Sequence, residues 1–145
     1  RAVPLADLWA PDGIRRFKDV AGGEFLVRLE MAPDAGDWTV AYQKLRLRES
    51  FDFPEGGVAA GVRWQDGKAA EVRIATTAYA SVPSLHPEIG EILVGGSLEE
   101  NAIEKASKVL QAEVRPMKNT SMSPAYRKKM ARVLCRRALL GCRQG

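Results

Sequence analysis

Few residues in this chain could carry out chemistry on their own. His86 is the only histidine among the 145 residues, so any histidine-dependent base or metal site would have to use it. It stands directly before Pro87, at the start of a predicted helical segment, and Glu88 and Glu91 are the acidic residues near it in sequence. We therefore expect a surface or capping role for His86, not a catalytic one.

Serines and glycines show no catalytic or phosphate-binding pattern either. We expect no serine, Ser121 and Ser123 included, to have a histidine partner that could activate it as a nucleophile. The glycine pairs at 22–23, 56–57 and 95–96 lack both the Gly-Lys-Ser/Thr ending and the Gly-x-Gly-x-x-Gly spacing of phosphate loops. We predict that they form turns, and we assign no catalytic residue.

Two cysteines, Cys135 and Cys142, lie on one predicted helix. Their spacing of seven residues separates them by roughly 10 Å along a helix axis, whereas a disulfide tolerates Cα atoms about 4.4 to 6.8 Å apart. Their spacing also fits neither a zinc site nor an iron–sulfur motif. We predict two reduced, buried thiols and no metal site.

Length, hydropathy and charge set the general class. A chain of 145 residues that is 46% hydrophobic can form one domain, with room for a short attached piece. No apolar run approaches the roughly 20 residues that span a bilayer, and no signal peptide opens the sequence, so we expect a cytoplasmic protein without a membrane contact. The net charge of +4 arises in the tail, because residues 115–145 hold nine of the 22 basic residues and no acidic one.

The basic tail has three interpretations. Arg127, Lys128, Arg132 and Arg136 could form the solvated face of an amphipathic helix, a contact for a partner subunit, or a surface for nucleic acid. Binding to single-stranded nucleic acid uses aromatic side chains for stacking, and Tyr126 is the only aromatic residue after Tyr79. We expect a solvated or partner-binding face and no binding to nucleic acid.

Hydrophobic periodicity predicts strands first and helices later. Residues 3–5 and 25–31 are predicted as strands, and the Pro, Gly and Asp residues of 32–37 mark a domain boundary. Residues 38–48 fit a strand or a helix. Residues 58–64 and 70–80 are predicted to form a hairpin through a type I′ turn at Asp66-Gly67.

The second half of the chain is predicted to be helical. A short helix over 88–94 is followed by a longer one that Ser97 and Glu100 cap and Pro116 ends. The last helix starts at Ser123, with Pro124 in its first turn. The predicted buried residues of these two helices are Ala102, Ile103, Ala106, Val109, Leu110 and Val114 in the first, and Tyr126, Met130, Val133, Leu134 and Leu140 in the second.

Sheet followed by helices is an α+β arrangement, with the helices on one face of a small antiparallel sheet. A set of motifs in this order resembles a known family. They are Ala-Tyr-Gln-Lys-Leu-Arg-Leu-Arg-Glu-Ser-Phe-Asp-Phe-Pro at 41–54, Gly-Val-Ala-Ala-Gly at 57–61, the helix over 103–116 that ends in Val-Arg-Pro, and Ser-Pro-Ala-Tyr-Arg at 123–127. They are similar to the C-terminal domain of the flavin subunit of molybdenum hydroxylases, the group of carbon monoxide dehydrogenase, xanthine dehydrogenase and hydroxybenzoyl-CoA reductase.

This resemblance covers about two thirds of the chain and implies two parts. Residues 37–145 would be the C-terminal domain, a small sheet with a three-helix bundle. Residues 1–36 would be the incomplete end of the preceding flavin-binding domain, since residues 1–8 and 23–29 resemble its last strands. An arginine at position 1 agrees with a fragment or a processed chain.

The family relation also implies a function. The intact FAD-binding subunit would pass electrons from a molybdenum subunit and an iron–sulfur subunit to FAD, within a hetero-oligomer. In the family a leucine and a lysine approach the flavin; the matching positions here are Leu26 and either Lys44 or Gln43. Because the glycine-rich FAD-binding loops have no counterpart, we expect this chain alone to lose FAD and to be inactive. The alternative is a self-standing interaction module whose basic last helix binds an acidic protein or nucleic acid.

Overall fold

The computed structural model describes residues 1–9, 23–49 and 51–144. An antiparallel sheet of four strands in the order β1-β2-β3-β4 carries three helices on one face. The strands are β1 Trp38–Leu45, β2 Gly56–Gln65, β3 Lys68–Thr77 and β4 Ser84–Leu85, and the helices are α1 Pro87–Glu91, α2 Glu100–Glu113 and α3 Pro124–Gly141. The predicted α+β class, an antiparallel sheet covered by three helices, is confirmed.

The central hairpin forms as predicted. Strands β2 and β3 are joined by Asp66 and Gly67 at φ angles of 50° and 73°, the left-handed values of a type I′ turn. Strand β3 ends at Thr77, three residues before the predicted end, because Ala78 takes a φ of 66° and turns the chain away from the ladder.

Strand β1 resolves the ambiguous stretch. It pairs with β2 along its whole length, from Trp38 opposite Arg63 to Leu45 opposite Gly56, and it forms one edge of the sheet. Ala41 and Leu45 point to the helices and pack against the core. Val40, Tyr42 and Lys44 alternate with them and therefore point to the opposite face.

Helix α2 has the predicted buried stripe but not the predicted cap. Ile103, Ala106 and Leu110 are fully buried. The capping box of Ser97 and Glu100 is wrong, because Leu98 adopts a φ of 58° that separates Ser97 from the helix. Glu99 is the residue before the first turn, and Ser97 Oγ donates to its carboxylate at 2.7 Å.

Helix α3 begins where predicted but buries a different face. Ser123 Oγ accepts from the Tyr126 amide at 3.2 Å, and Pro124 is the first helical residue. Of the five residues predicted to be buried, Leu134 is buried; the rest are only partly covered or, like Tyr126, exposed. The side of α3 that faces β1 and β2 carries small and large side chains together. The buried residues of α3 are Arg127, Ala131, Leu134, Cys135, Ala138 and Leu139.

The predicted N-terminal strands are wrong. Leu5–Asp7 is a short 3-10 helix, and residues 24–32 form no ladder with any described residue. Phe25, Val27 and Met31 are each more than 80% exposed. A strand needs a neighbour for its backbone groups, and the described residues supply none to this segment. The predicted boundary at 32–37 is a second 3-10 helix, Pro33–Asp37, which leads into β1.

One core lies between the sheet and the helices. Val58, Ala60 and Val62 of β2 are fully buried, and they face α3. None of the helices in the described parts of the chain is both long enough and apolar enough to cross a membrane.

Candidate functional site

The face of the sheet opposite the helices is the surface on which the predicted cofactor contacts can be compared. In the β1–β2 ladder, Val40 lies opposite Gly61, Tyr42 opposite Ala59, and Lys44 opposite Gly57. All of these positions belong to the open face. Val40 is 65% exposed and Tyr42 is 51% exposed, so no described element covers this face there.

Glycines on β2 allow aromatic rings to lie against this face. A Cβ atom at Gly57 would come within 2.5 Å of both Tyr42 Oη and Thr77 Oγ1, and one at Gly61 would lie 3.3 Å from the Trp38 ring. A side chain at either position would displace the ring above it. The absence of Cβ atoms thus lets the Tyr42 and Trp38 rings lie against the sheet on the open face, where Arg63 and Arg73 lie over the Trp38 ring.

Lys44 and Gln43 point to opposite faces. Lys44 lies on the open face and its ammonium group donates to the carbonyl oxygen of Asp52. Gln43 pairs with the fully buried Val58, on the side of the helices. Leu26 is 68% exposed and belongs to the segment before β1, outside the sheet. The structure therefore puts only Lys44, of the three predicted flavin contacts, on the open face of the sheet.

Between β1 and β2, the contacts of the described residues 46–49 and 51–55 centre on Asp52. The Asp52 carboxylate accepts from the backbone amides of Leu47, Arg48 and Phe53 at 3.2, 2.9 and 3.0 Å. The Arg48 guanidinium also binds it at 2.9 Å, and together these hydrogen bonds hold the pKa of Asp52 far below its usual value. The same loop leaves the ring of Phe51 90% exposed.

Arg127 ties this loop to the helices. Its side chain is 6% exposed, and its Nε donates to the carbonyl of Glu55 at 2.9 Å. The two terminal nitrogens donate to the carbonyls of Met117, at 2.7 Å, and of Ala78. The prediction that Arg127 belongs to an exposed basic face is wrong, because its guanidinium lies inside the fold. The sequence held a signal for this, since Arg127 precedes Ala131 and Leu134 at helical spacing.

The remaining predicted partner-binding residues stay near the surface. Arg132 forms an ion pair with Glu104 of α2, and Arg136 forms one with Glu100. Lys128 is partly buried and has no ion pair within the described residues. Two of the predicted cations are therefore neutralised by the adjacent helix. The sequence held a signal for these ion pairs. Glu100 and Glu104 are four residues apart on α2, and Arg132 and Arg136 are four residues apart on α3.

His86 joins two elements that are distant in sequence. Its Nδ1 lies 2.8 Å from Glu113 Oε2, and its Nε2 lies 2.9 Å from Thr76 Oγ1. The expected capping position is confirmed, since His86 is the N-cap residue of α1 and its carbonyl accepts from the Ile89 amide. The expected surface role is wrong, because the side chain is 12% exposed, and the side chain makes no capping hydrogen bond. Hydroxyl, imidazole and carboxylate are the groups of a hydrolytic triad. Thr76, however, is 3% exposed on the buried face of the sheet, so a substrate cannot reach its hydroxyl.

Both cysteines are buried, as predicted, and neither forms a disulfide. Burial raises the pKa of Cys135 to about 11, so the thiol stays protonated at neutral pH. Among the described residues, no group of three or more His, Cys, Asp or Glu side chains could hold a metal ion.

Comparisons with known proteins agree with this architecture. The antiparallel sheet carries its helices on one face, and an arginine anchors the loop at the end of the sheet. This architecture defines a small α+β domain. The chain belongs to the CO dehydrogenase flavoprotein C-terminal domain family, whose model matches residues 40–142. This confirms the family resemblance of the motifs between Ala41 and Arg127.

The chain is similar to a subunit of a carbon monoxide dehydrogenase. The carbon monoxide dehydrogenase medium chain of Afipia carboxidovorans is 30% identical over 123 residues, which are 85% of this chain and 42% of that protein. The chain thus spans less than half the length of this relative.

Solved structures show the same fold. Reconstituted CO dehydrogenase from Oligotropha carboxidovorans matches 73% of this chain and 37% of its own chain, with a TM-score of 0.66 and 32% identity. The carbon monoxide dehydrogenase of Hydrogenophaga pseudoflava that lacks the Mo-pyranopterin moiety matches 74% of this chain and 37% of its own, with a TM-score of 0.69 and 26% identity.

Proposed function

We propose that this chain is the C-terminal part of the FAD-binding subunit of a molybdenum hydroxylase-type oxidoreductase. Residues 37–145 would form its C-terminal domain and residues 1–36 the end of its flavin-binding domain. The family match over residues 40–142 and the short helix Pro33–Asp37 just before β1 support this division. The observation that carries the proposal is the open face of the sheet, which holds Lys44 next to the exposed Tyr42, whose ring lies over Gly57.

The residues on the open face fit one wall of a flavin cleft. An isoalloxazine ring is planar, and Val40 and Tyr42 are exposed on this part of the open face, with the Tyr42 ring over Gly57. The Lys44 ammonium group would lie at the border of this wall. A cation there stabilises negative charge on a reduced flavin or on the pyrophosphate. Gln43, on the helix side, is the less suitable of the two predicted residues.

Bound FAD would accept electrons one or two at a time and pass them to an external acceptor. The protein groups described here would position and cover the flavin, and FAD binding itself would depend on the preceding domain. Phosphate recognition requires convergent backbone amides, and the glycines of this chain do not have the spacing for it. The chain alone is accordingly proposed to be inactive.

The enzyme would be a hetero-oligomer. The name "medium chain" of the carbon monoxide dehydrogenase relative indicates that its enzyme is built from several chains. By this analogy the partners would be an iron–sulfur subunit and a molybdenum-cofactor subunit. Electrons would pass from the molybdenum site through the clusters to FAD.

The test compares Lys44→Gln with Lys68→Gln in the intact flavin subunit that carries this sequence. Lys68 is exposed beside the hairpin turn and serves as the control for loss of one positive charge. We expect Lys44→Gln to raise the FAD dissociation constant about tenfold, or ~1.4 kcal/mol, or to slow reoxidation of the flavin, while Lys68→Gln changes neither.

Equal FAD affinity and reoxidation in all three proteins would refute the placement of Lys44 at the flavin. A subunit that takes up no FAD at all would refute the proposed function as a whole. The rival function is a self-standing module that binds an acidic protein or nucleic acid through the last helix, and three of its four predicted contact residues are occupied within the fold. Arg127 is buried, and Arg132 and Arg136 are paired with glutamates.

A further inference from the structure

The Lys44 ammonium group is held by a backbone carbonyl and not by a carboxylate. It donates to the carbonyl oxygen of Asp52, eight residues further along the chain. An ammonium group has three N–H donors, and no carboxylate of the described residues lies within ion-pair distance of this one. The charge of Lys44 is therefore not balanced by a neighbouring acid within the described parts of the chain, and two of its donors remain available there.

The sheet itself does little to fix the Lys44 side chain. The residue opposite Lys44 in the β1–β2 ladder is Gly57, which has no side chain, and the Tyr42 ring fills the space over this glycine. Lys44 is exposed. Because a lysine side chain has four rotatable bonds, an ammonium group without a fixed acceptor samples many positions. The hydrogen bond to the Asp52 carbonyl thus decides where the positive charge stands.

The Asp52 carboxylate in turn fixes the backbone around that carbonyl. One oxygen accepts from the amides of Leu47 and Arg48, and the other accepts from the Phe53 amide and the Arg48 guanidinium. These bonds tie the chain just after β1 to residues 52 and 53. A carboxylate has about four acceptor sites, and four donors occupy them here. Asp52 therefore orders the segment with its side chain and offers Lys44 only its carbonyl.

We propose that Asp52 is a positioning residue for the flavin and acts through Lys44. Its carboxylate orders the segment between β1 and β2, and its carbonyl holds the Lys44 ammonium group beside the open face. The two remaining N–H donors of Lys44 would then meet the negative charge of a reduced flavin. A cation held in place in advance stabilises such a charge better than a mobile one. The inference rests on the proposed function, in which the open face is one wall of the flavin cleft.

The sign of the effect separates positioning from a direct effect of charge. Removing a carboxylate near the flavin would, by Coulomb attraction and repulsion alone, favour the negatively charged reduced form and raise the reduction potential. Removing the carboxylate that positions Lys44 would instead weaken the stabilisation by the cation and lower the reduction potential. The proposal therefore predicts a lower potential when Asp52 loses its charge.

The experiment measures the reduction potential of the flavin in the intact flavin subunit that carries this sequence. Redox titration with indicator dyes, followed by absorbance, compares Asp52→Asn, Lys44→Gln, the double variant and the control Asp66→Asn. Asp66 is an exposed acid in the turn at the other end of β2, and asparagine readily adopts its positive φ. FAD content and the unfolding midpoint are measured for each protein. Asp52→Ser is a second variant, since a serine hydroxyl can still accept from an amide.

We expect Lys44→Gln to shift the equilibrium between oxidised and reduced flavin about tenfold toward the oxidised form, which is ~30 mV for a two-electron couple. Asp52→Asn should shift it several-fold in the same direction. In the double variant the Asp52 substitution should add nothing to the effect of Lys44→Gln, because Asp52 acts through Lys44. Asp66→Asn should leave the potential unchanged.

A raised or unchanged potential in Asp52→Asn, or a shift that adds fully to that of Lys44→Gln, would overturn the positioning role while leaving Lys44 at the flavin. Failure of both Asp52→Asn and Asp52→Ser to fold would also overturn it, since Asp52 would then hold the whole fold. An unchanged potential in Lys44→Gln would overturn the positioning role together with the placement of Lys44. An unaltered subunit that takes up no FAD would overturn the proposed function itself.

Discussion

Replacing Arg127 by methionine should destabilise the fold strongly. Methionine keeps the length and most of the apolar stem, but it removes three hydrogen bonds to the carbonyls of Glu55, Ala78 and Met117. A hydrogen bond to a charged group contributes about 1.5 to 3 kcal/mol, so three would give an upper limit of roughly 4.5 to 9 kcal/mol.

The actual loss should be smaller than this limit. The three carbonyls are only partly buried, so water can replace some of the lost donors. Breaking a buried charged contact by removing one partner typically costs about 3 to 5 kcal/mol, which is our expected value. Against a total stability of about 5 to 15 kcal/mol, this is a large fraction. Arg127→Lys should lose less, because one ammonium group keeps the charge and can still reach some of the acceptors.

Urea unfolding followed by circular dichroism measures these differences. The matched control is Arg137→Met, which removes an exposed arginine from the same helix and should change stability by less than about 0.5 kcal/mol. A loss below about 1 kcal/mol for Arg127→Met, or equal losses at positions 127 and 137, would show that the buried guanidinium does not hold the loop, β3 and α3 together.

Four further predictions concern the isolated chain. Leu110→Ala should lower the free energy of unfolding by about 2 to 5 kcal/mol. Val133→Ala should lower it by less than about 1 kcal/mol, because Val133 lies outside the core. Equal losses of unfolding free energy in urea titrations would contradict the assignment of the buried face of α3. Titration with FAD, read by flavin fluorescence, should give a dissociation constant above about 1 μM, since the contacts available here cannot offset the cost of ordering a dinucleotide. The thiol of Cys135, with its pKa raised to about 11, should react with a maleimide at pH 7.5 only as fast as the protein opens, and a rate that does not change with added denaturant would contradict this. The pKa of Asp52 is lowered on folding, so its contribution to loop order is present above its unfolded pKa of about 4 and is lost as pH falls from there through its folded pKa. The protection factor of the Arg48 amide, which corrects hydrogen exchange for its intrinsic pH dependence, should fall over this range, and Asp52→Asn should abolish that change.

Local chemistry explains which parts of the fold could be predicted. The Asp66-Gly67 turn, the Ser123 cap and the apolar stripe of α2 each depend on a few neighbouring residues, so the sequence specifies them directly. The prediction of a strand at residues 25–31 failed because alternation of apolar and polar residues shows that a segment can pair in a sheet, but it does not supply a neighbouring strand.

Predictions for the last helix failed for a different reason. Large apolar residues such as Met130 and Val133 give the stronger hydrophobic signal, but the side of α3 that faces the sheet buries Ala131 and Ala138 along with large residues. A buried arginine cannot be recognised by residue type, because its three acceptors come from segments 10 to 72 positions away. For the candidate site, the motif gave Lys44 and Gln43 as alternatives, and only the pairing of β1 with β2 assigns them to different faces.

Strand β1 also affects how the polypeptide can be produced. Its outer row of N–H and C=O groups is unpaired among the described residues, and the strand has no proline and no bulge that would prevent pairing with another chain. Exposed Val40 and Tyr42 make this edge prone to associate with another chain, and Lys44 is the one charged residue along β1. Solubility in the cell would therefore depend on the supply of neighbouring polypeptide, and a surplus of this chain over its neighbours would be removed by aggregation or proteolysis.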